Sequence, residues 1–280
     1  MHFTQKLRKA VSSSRSTLCV GLDPNLDRLP PSIKQQYDSP EEQVVAFCRK
    51  VIDATSEFCC AYKPNVAFFE ALGPAAYEVF TEVRNYIPGD KIVIADAKRG
   101  DISTTAEHYR KAFFEQFDAD AITLNPLMGF ETLDPFMGDP SRAVFSLALT
   151  SNPGATDFLL KPFAGYEMMS EYIAEELRKR NTPANTHLGM VVGATQADHL
   201  SRVIKRHSAA ALLIPGIGKQ GGSVKELARV LEGHEGIPVV SSSRSIIYTG
   251  SDRTNWQQAV AEQARNTQEQ LQTITQRYAQ

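Results

Sequence analysis

Asp96, Lys98 and Asp101 stand close together in the run Val-Ile-Ala-Asp-Ala-Lys-Arg-Gly-Asp-Ile-Ser, which begins at Val93. Neighbouring carboxylates favour the protonated form of a lysine, and a protonated lysine held in place can stabilise negative charge or hand on a proton. The preceding Ile92, Val93, Ile94 and Ala95 have the apolar, β-branched character of a strand covered on both faces, and such strands do not normally end in charges. Side chains alternate along a strand, so Asp96 and Lys98 are expected on one face, with Gly100 ending the strand before Asp101. Asp101 is odd in parity from Asp96 and falls outside that row, which leaves it able to point across a subunit boundary. Thr104 and Glu107 have capping-box spacing, so a helix is expected to start at Thr104 with Asp101 just outside it. A lone cluster of this kind is often only a surface ion pair, so its meaning depends on the elements that carry it.

Those elements alternate. Strands are expected at Thr17–Leu22, Ala61–Pro64, Ile92–Asp96, Ala121–Leu124, Ala143–Leu149, Leu188–Val192, Ala211–Ile214 and Pro238–Ser241. Between them lie stretches with helical spacing, such as Val44, Val45, Phe47, Cys48, Val51, Ile52 and Thr55, and later Leu227, Val230 and Leu231. Eight βα units predict an α/β fold, a TIM barrel, as a single domain over residues 1–280. Beyond Asp252 the chain is Gln-rich, but Trp256, Val260, Ala264, Leu271, Ile274 and Tyr278 keep an apolar stripe, which predicts a closing C-terminal helix. The most irregular stretch, 151–165, follows the fifth strand, and ordered loops of that length usually have a function.

A TIM barrel carries its active site at the C-terminal ends of the strands. Those positions hold Asp23, Lys63, Asp96 with Lys98, and Asn125, then Thr150, Ser151 and Asn152. The seventh strand leads into Pro215 to Gly222 and the eighth into Ser241 to Ser245. Gly216-Ile-Gly-Lys-Gln-Gly-Gly matches a dinucleotide-binding spacing, yet the next strand ends in serines and Arg244 where that fold wants an acidic residue for the ribose. In a barrel, the seventh and eighth loops together form a phosphate site, and Gly216 to Gly222 with Arg244 suit one.

Composition narrows the partners. Hydrophobic residues at 42% and charged residues at 22% are ordinary for a globular chain, and a formal net charge of -2 gives no general attraction for nucleic acid. Cys19, Cys48, Cys59 and Cys60 lack paired metal-ligand spacing and read as buried reduced thiols, while six scattered histidines offer no metal pair. No run has the length of a membrane span and the N-terminal segment lacks the apolar core of a signal peptide, so a cytoplasmic protein away from membranes is expected.

The ordered motifs resemble the orotidine 5'-phosphate decarboxylase family, in its longer bacterial form. They are Gly21-Leu-Asp-Pro, Lys63-Pro-Asn, Asp96-Ala-Lys-Arg-Gly-Asp-Ile-Ser-Thr-Thr, Thr150-Ser-Asn-Pro-Gly, Pro215-Gly-Ile-Gly-Lys-Gln-Gly-Gly and Ser243-Arg-Ser-Ile-Ile, spread over nearly the whole chain. Ser103 departs from the small or proline residue more usual there. The resemblance implies cofactor-free decarboxylation of orotidine 5'-monophosphate, with Lys98 as proton donor to C6 and Asp96 against the leaving carboxylate. It implies that Lys63 and Asp101 complete the charge network, and that Asp101, Ile102 and Thr105 serve the other subunit of a homodimer. It also implies a ribose contact at Asp23, a pyrimidine contact at Ser151, and a phosphate grip from Pro215, Gln220 and Arg244. Two other readings compete: a metal-dependent sugar-phosphate lyase of the same barrel group, and a silent barrel that only senses a nucleotide phosphate.

Overall fold

The computed structural model describes residues 1–194, 197–216 and 223–279. Eight parallel strands in sequence order close into a barrel. They are β1 Leu18–Leu22, β2 Ala61–Pro64, β3 Ile92–Arg99, β4 Ala121–Leu124, β5 Ala143–Leu149, β6 His187–Val192, β7 Leu212–Pro215 and β8 Pro238–Ser242. Helices alternate with them, and the expected bounds of β2, β4 and β5 match. By contacts the chain divides into one unit of residues 9–97 with 242–280, and another of 1–8 with 98–241.

The first unit holds the pairs β1–β2, with Cys19 beside Ala61, and β2–β3, with Ala61 beside Ile92. Its helix Pro40–Thr55 starts on a capping box in which Ser39 and Glu42 satisfy each other's backbone N–H groups, with Pro40 in the first turn. The stripe from Val44 to Thr55 is buried as its spacing predicts. Each such large apolar side chain contributes roughly 1.5–3 kcal/mol. Helix Trp256–Gln270 packs back on this stripe, with Trp256 stacked on Phe47 at 5.6 Å. Trp256, Val260, Ala264, Leu271, Ile274 and Tyr278 are all buried. Thr275 accepts the Thr17 N–H at 3.2 Å, which ties the end of the chain to the start of β1.

The second unit pairs β4 with β5, β5 with β6, β6 with β7, and β7 with β8. After β5 the chain makes a 3-10 turn, Pro153–Asp157. Phe163 and Tyr166 then exchange backbone hydrogen bonds and pack against Tyr172, at ring distances of 5.0 and 5.8 Å, which fastens this long loop to helix Met169–Arg180. All four cysteines are buried and outside any disulfide, and burial pushes the Cys59 thiol up to about 12. Among the described residues no helix is long and apolar enough to cross a membrane.

Candidate active site

A lysine and a carboxylate are buried together in the first unit. Lys63 lies near the C-terminal end of the fully buried β2, and the β2–β3 pairing continues as a bridge between Asn65 and Asp96. Lys63 Nζ donates to Asp96 Oδ2 at 2.5 Å, each side chain being 9% exposed. Burial by itself lowers the Lys63 pKa, but the charges of Asp96 and Asp23 and the Asp96 hydrogen bond outweigh it and raise the pKa, so the group stays an ammonium.

Asp23 follows β1 in the same unit. The Ser243 hydroxyl donates to Asp23 Oδ2 at 2.6 Å, while Oδ1 is buried without a hydrogen-bond partner among the described residues. The Tyr248 hydroxyl donates to the Asp23 carbonyl at 2.6 Å and accepts the Asn25 N–H at 2.6 Å. Tyr248 is itself held between Phe47, at 5.6 Å, and the Arg28 guanidinium, at 4.2 Å. The loop after β1 is thus fastened to the segment after β8. That segment places Arg244, exposed, at the start of the short helix Arg244–Ile247. Gly21 allows the approach, since a Cβ there would stand 2.6 Å from Ser243 Cβ.

Lys98 belongs to the second unit. It is exposed and its φ is +47°, in the left-handed region, so the even alternation expected from Asp96 to Lys98 breaks at Lys98 itself. The Lys98 N–H donates to Thr123 Oγ1 at 2.9 Å, the Asn125 N–H donates to the Arg99 carbonyl at 2.7 Å, and a Cβ on Gly100 would stand 2.5 Å from the Asn125 carbonyl oxygen. Contacts with the end of β4 therefore override the pleat.

Asp101 is half-buried, and its Oδ1 accepts the Ile102 N–H at 2.9 Å. Ile102 is 48% exposed, and Thr105 is exposed on helix Ser103–Arg110. The expected capping box does not form: the cap position falls on Ile102, which has no side-chain acceptor, and Glu107 instead pairs with Arg110 at 2.6 Å. A full ion pair with a guanidinium outcompetes a bond to a neutral backbone N–H.

Ser151 is exposed after β5, and Gly193 at the end of β6 makes room for it, because a Cβ there would lie 2.9 Å from Ser151 Cβ. Pro215 ends β7 half-buried, followed by Gly216 with φ +94°. Gln220, with Gly218, Gly221 and Gly222, lies outside the described residues. Among the described residues no three His, Cys, Asp or Glu side chains gather as metal ligands. Sequence reasoning missed Thr123 and Tyr248 and assigned Ser243 no task of its own. Thr123 could have been noticed as the one hydroxyl in the buried run Ala121 to Leu124; Tyr248 carries no local signal.

A closed parallel barrel with charged groups at the C-terminal ends of its strands defines a TIM-barrel enzyme. Residues 16–259 match the model of the Orotidine 5'-phosphate decarboxylase / HUMPS family, and the chain belongs to that family. It is 41% identical over 246 residues to the orotidine 5'-phosphate decarboxylase of Herpetosiphon aurantiacus, covering 88% of this chain and 89% of that protein. With the enzyme of that name from Dehalococcoides mccartyi (strain CBDB1) it shares 37% identity over 272 residues, covering 95% of this chain and 97% of the other. The solved structure of Leishmania donovani OMP decarboxylase superimposes with a TM-score of 0.79 at 31% identity, covering 98% of this chain and 99% of that one.

Proposed function

We propose that the protein decarboxylates orotidine 5'-monophosphate to uridine 5'-monophosphate and carbon dioxide in pyrimidine synthesis, without a cofactor. The observation that carries this reading is the buried Lys63–Asp96 pair, held at 2.5 Å at the strand ends of a chain of this family. Burying an ion pair is costly, and an apolar pair would serve stability as well or better. Its presence there is explained by chemistry that needs fixed charge.

In this mechanism the bond from C6 to the carboxylate breaks heterolytically and leaves its electron pair on C6. The Lys98 ammonium stabilises that carbanion and transfers a proton to it, forming the C–H bond of the product, and water reprotonates the amine. Asp96 lies against the leaving carboxylate, and the Lys63 ammonium is held on its Oδ2. Asp23 takes a ribose hydroxyl through Oδ1, which has no hydrogen-bond partner among the described residues, Ser151 contacts the pyrimidine, and Pro215, Gln220 and Arg244 hold the phosphate. Binding energy from that remote phosphate helps orient the reacting carbon.

The protein acts as a homodimer in which Asp101, Ile102 and Thr105 complete the partner's site. Supporting this, Ile102, in the segment assigned to the partner's site, is 48% exposed and so free to meet another chain. Mixing Lys98→Ala with Asp101→Ala, each inactive alone, then restores turnover, because a mixed dimer contains one site with both groups intact. The reduced, buried thiols suit a cytoplasmic setting.

Carbon dioxide release from orotidylate, measured with and without EDTA, tests the reading. Full activity after chelation is expected. Unchanged orotidylate absorbance sinks the proposal, and EDTA-sensitive action on a sugar phosphate instead favours the lyase alternative, which the joint family description keeps in view.

A further inference from the structure

We propose that Thr123 is a positioning residue for Lys98, and that its hydroxyl holds the proton donor in a backbone conformation it would otherwise leave. The inference rests on the reading of Lys98 as proton donor. Thr123 is 1% exposed on β4, among Ala121, Ile122 and Leu124, all buried. A hydroxyl in such surroundings must find a partner, and Thr123 Oγ1 accepts the Lys98 N–H at 2.9 Å.

That bond falls on the residue where β3 departs from extended geometry. The Lys98 φ of +47° is disfavoured for any residue with a Cβ, so something must hold it. Three successive residues are tied to the end of β4: Lys98 through Thr123 Oγ1, Arg99 through the Asn125 N–H, and Gly100 by close approach to the Asn125 carbonyl. The Arg99 guanidinium also lies 5.3 Å from the Tyr109 ring centre and 5.9 Å from that of Phe113, which anchors the side chain next to Lys98. Of the three ties, the one at Lys98 is made by a side chain, so a substitution can remove it and leave the two backbone ties in place. Without it, extended conformers of Lys98 compete and the ammonium is displaced from the reacting carbon. The groups assigned to ribose and phosphate are untouched.

The experiment is steady-state kinetics on orotidylate for the wild-type chain, Thr123→Val and Thr123→Ser, with uridine 5'-monophosphate binding as a check on folding. Thr123→Val keeps the shape and removes the acceptor; its kcat should fall about 10- to 100-fold as Lys98 leaves the held conformation, with KM within about twofold. Thr123→Ser should recover most of the loss. A Thr123→Val enzyme with wild-type kcat overturns the inference, and so does a Thr123→Ser enzyme as slow as Thr123→Val, which would assign the effect to packing. Should Thr123→Val fail to fold, Thr123→Cys keeps the volume with a weaker acceptor and should show a smaller loss in kcat; full kcat there also overturns it. A wild-type chain inert toward orotidylate would instead reject the proposed function, so the two failures are distinct.

Discussion

Ser243 donates its hydroxyl hydrogen to Asp23 Oδ2 at 2.6 Å, joining residues 220 positions apart. The bond takes up one carboxylate oxygen and leaves Oδ1 buried and without a hydrogen-bond partner among the described residues, which suits the ribose contact proposed for Asp23. Ser243→Ala frees the carboxylate to rotate. A hydrogen bond to a charged group is worth about 1.5–3 kcal/mol, so KM for orotidylate should rise roughly tenfold or more. The effect on kcat should be smaller, and thermal denaturation should show little change.

Lys63→Met removes the Lys63 cation from a buried pair with Asp96. Breaking such a pair costs about 3–5 kcal/mol, which urea denaturation will register, and decarboxylation should collapse. Adding Asp96→Leu should return part of the stability and none of the activity. A double variant no more stable than Lys63→Met would refute the view that the loss of the Lys63–Asp96 pairing is the cause.

Acid should weaken the fold through its histidines. Burial first, and the neighbouring His207 second, pushes His187 down to about 4, and burial likewise holds His207 at about 4. His234 is lowered for the same reason. Since these folded-state values lie below that of an unfolded histidine, the unfolded chain takes up protons first as pH falls. Stability is therefore full above an ordinary histidine pKa near 6.5, declines between there and about 4, and levels off below. His187 and His207, each lowered from about 6.5 to about 4, contribute roughly 2–4 kcal/mol apiece to that decline. Urea denaturation at about pH 7 and about pH 5 measures it, and His207→Gln should flatten the slope.

Tyr248→Phe deletes a hydroxyl that both donates to Asp23 and accepts from Asn25. The Asn25 N–H then loses its acceptor, at a cost of roughly 1–3 kcal/mol. Burial pushes the Tyr248 phenol up to about 12, so it stays protonated at neutral pH and the loss should not vary across that range. Chemical denaturation of the two proteins at matched pH provides the comparison.

Much of the barrel was legible because its strands are short apolar runs bounded by turns and its helices carry unbroken stripes, as in Val44 to Thr55. Lys63 and Asp96 were legible for a related reason, being charges where an apolar strand leads one to expect none. The rest depends on partners distant in sequence. Nothing near Lys98 announces a left-handed backbone, because Thr123 is 25 residues away. Ser243 and Tyr248 act on a loop more than two hundred residues earlier. The capping box from Thr104 to Glu107 failed in the opposite direction: its spacing was right, but Arg110 offered Glu107 a better partner.

The bond from Thr17 to Thr275 bears on how the protein is made. Thr275 leaves the ribosome 258 residues after Thr17, and Trp256, which covers Phe47, arrives almost as late. During synthesis the first three strands must wait, with Phe47 bare, for the last part of the chain. Their unit is thus completed only once these late residues have emerged, and until then its exposed apolar face is where a holding chaperone would act and where aggregation would begin.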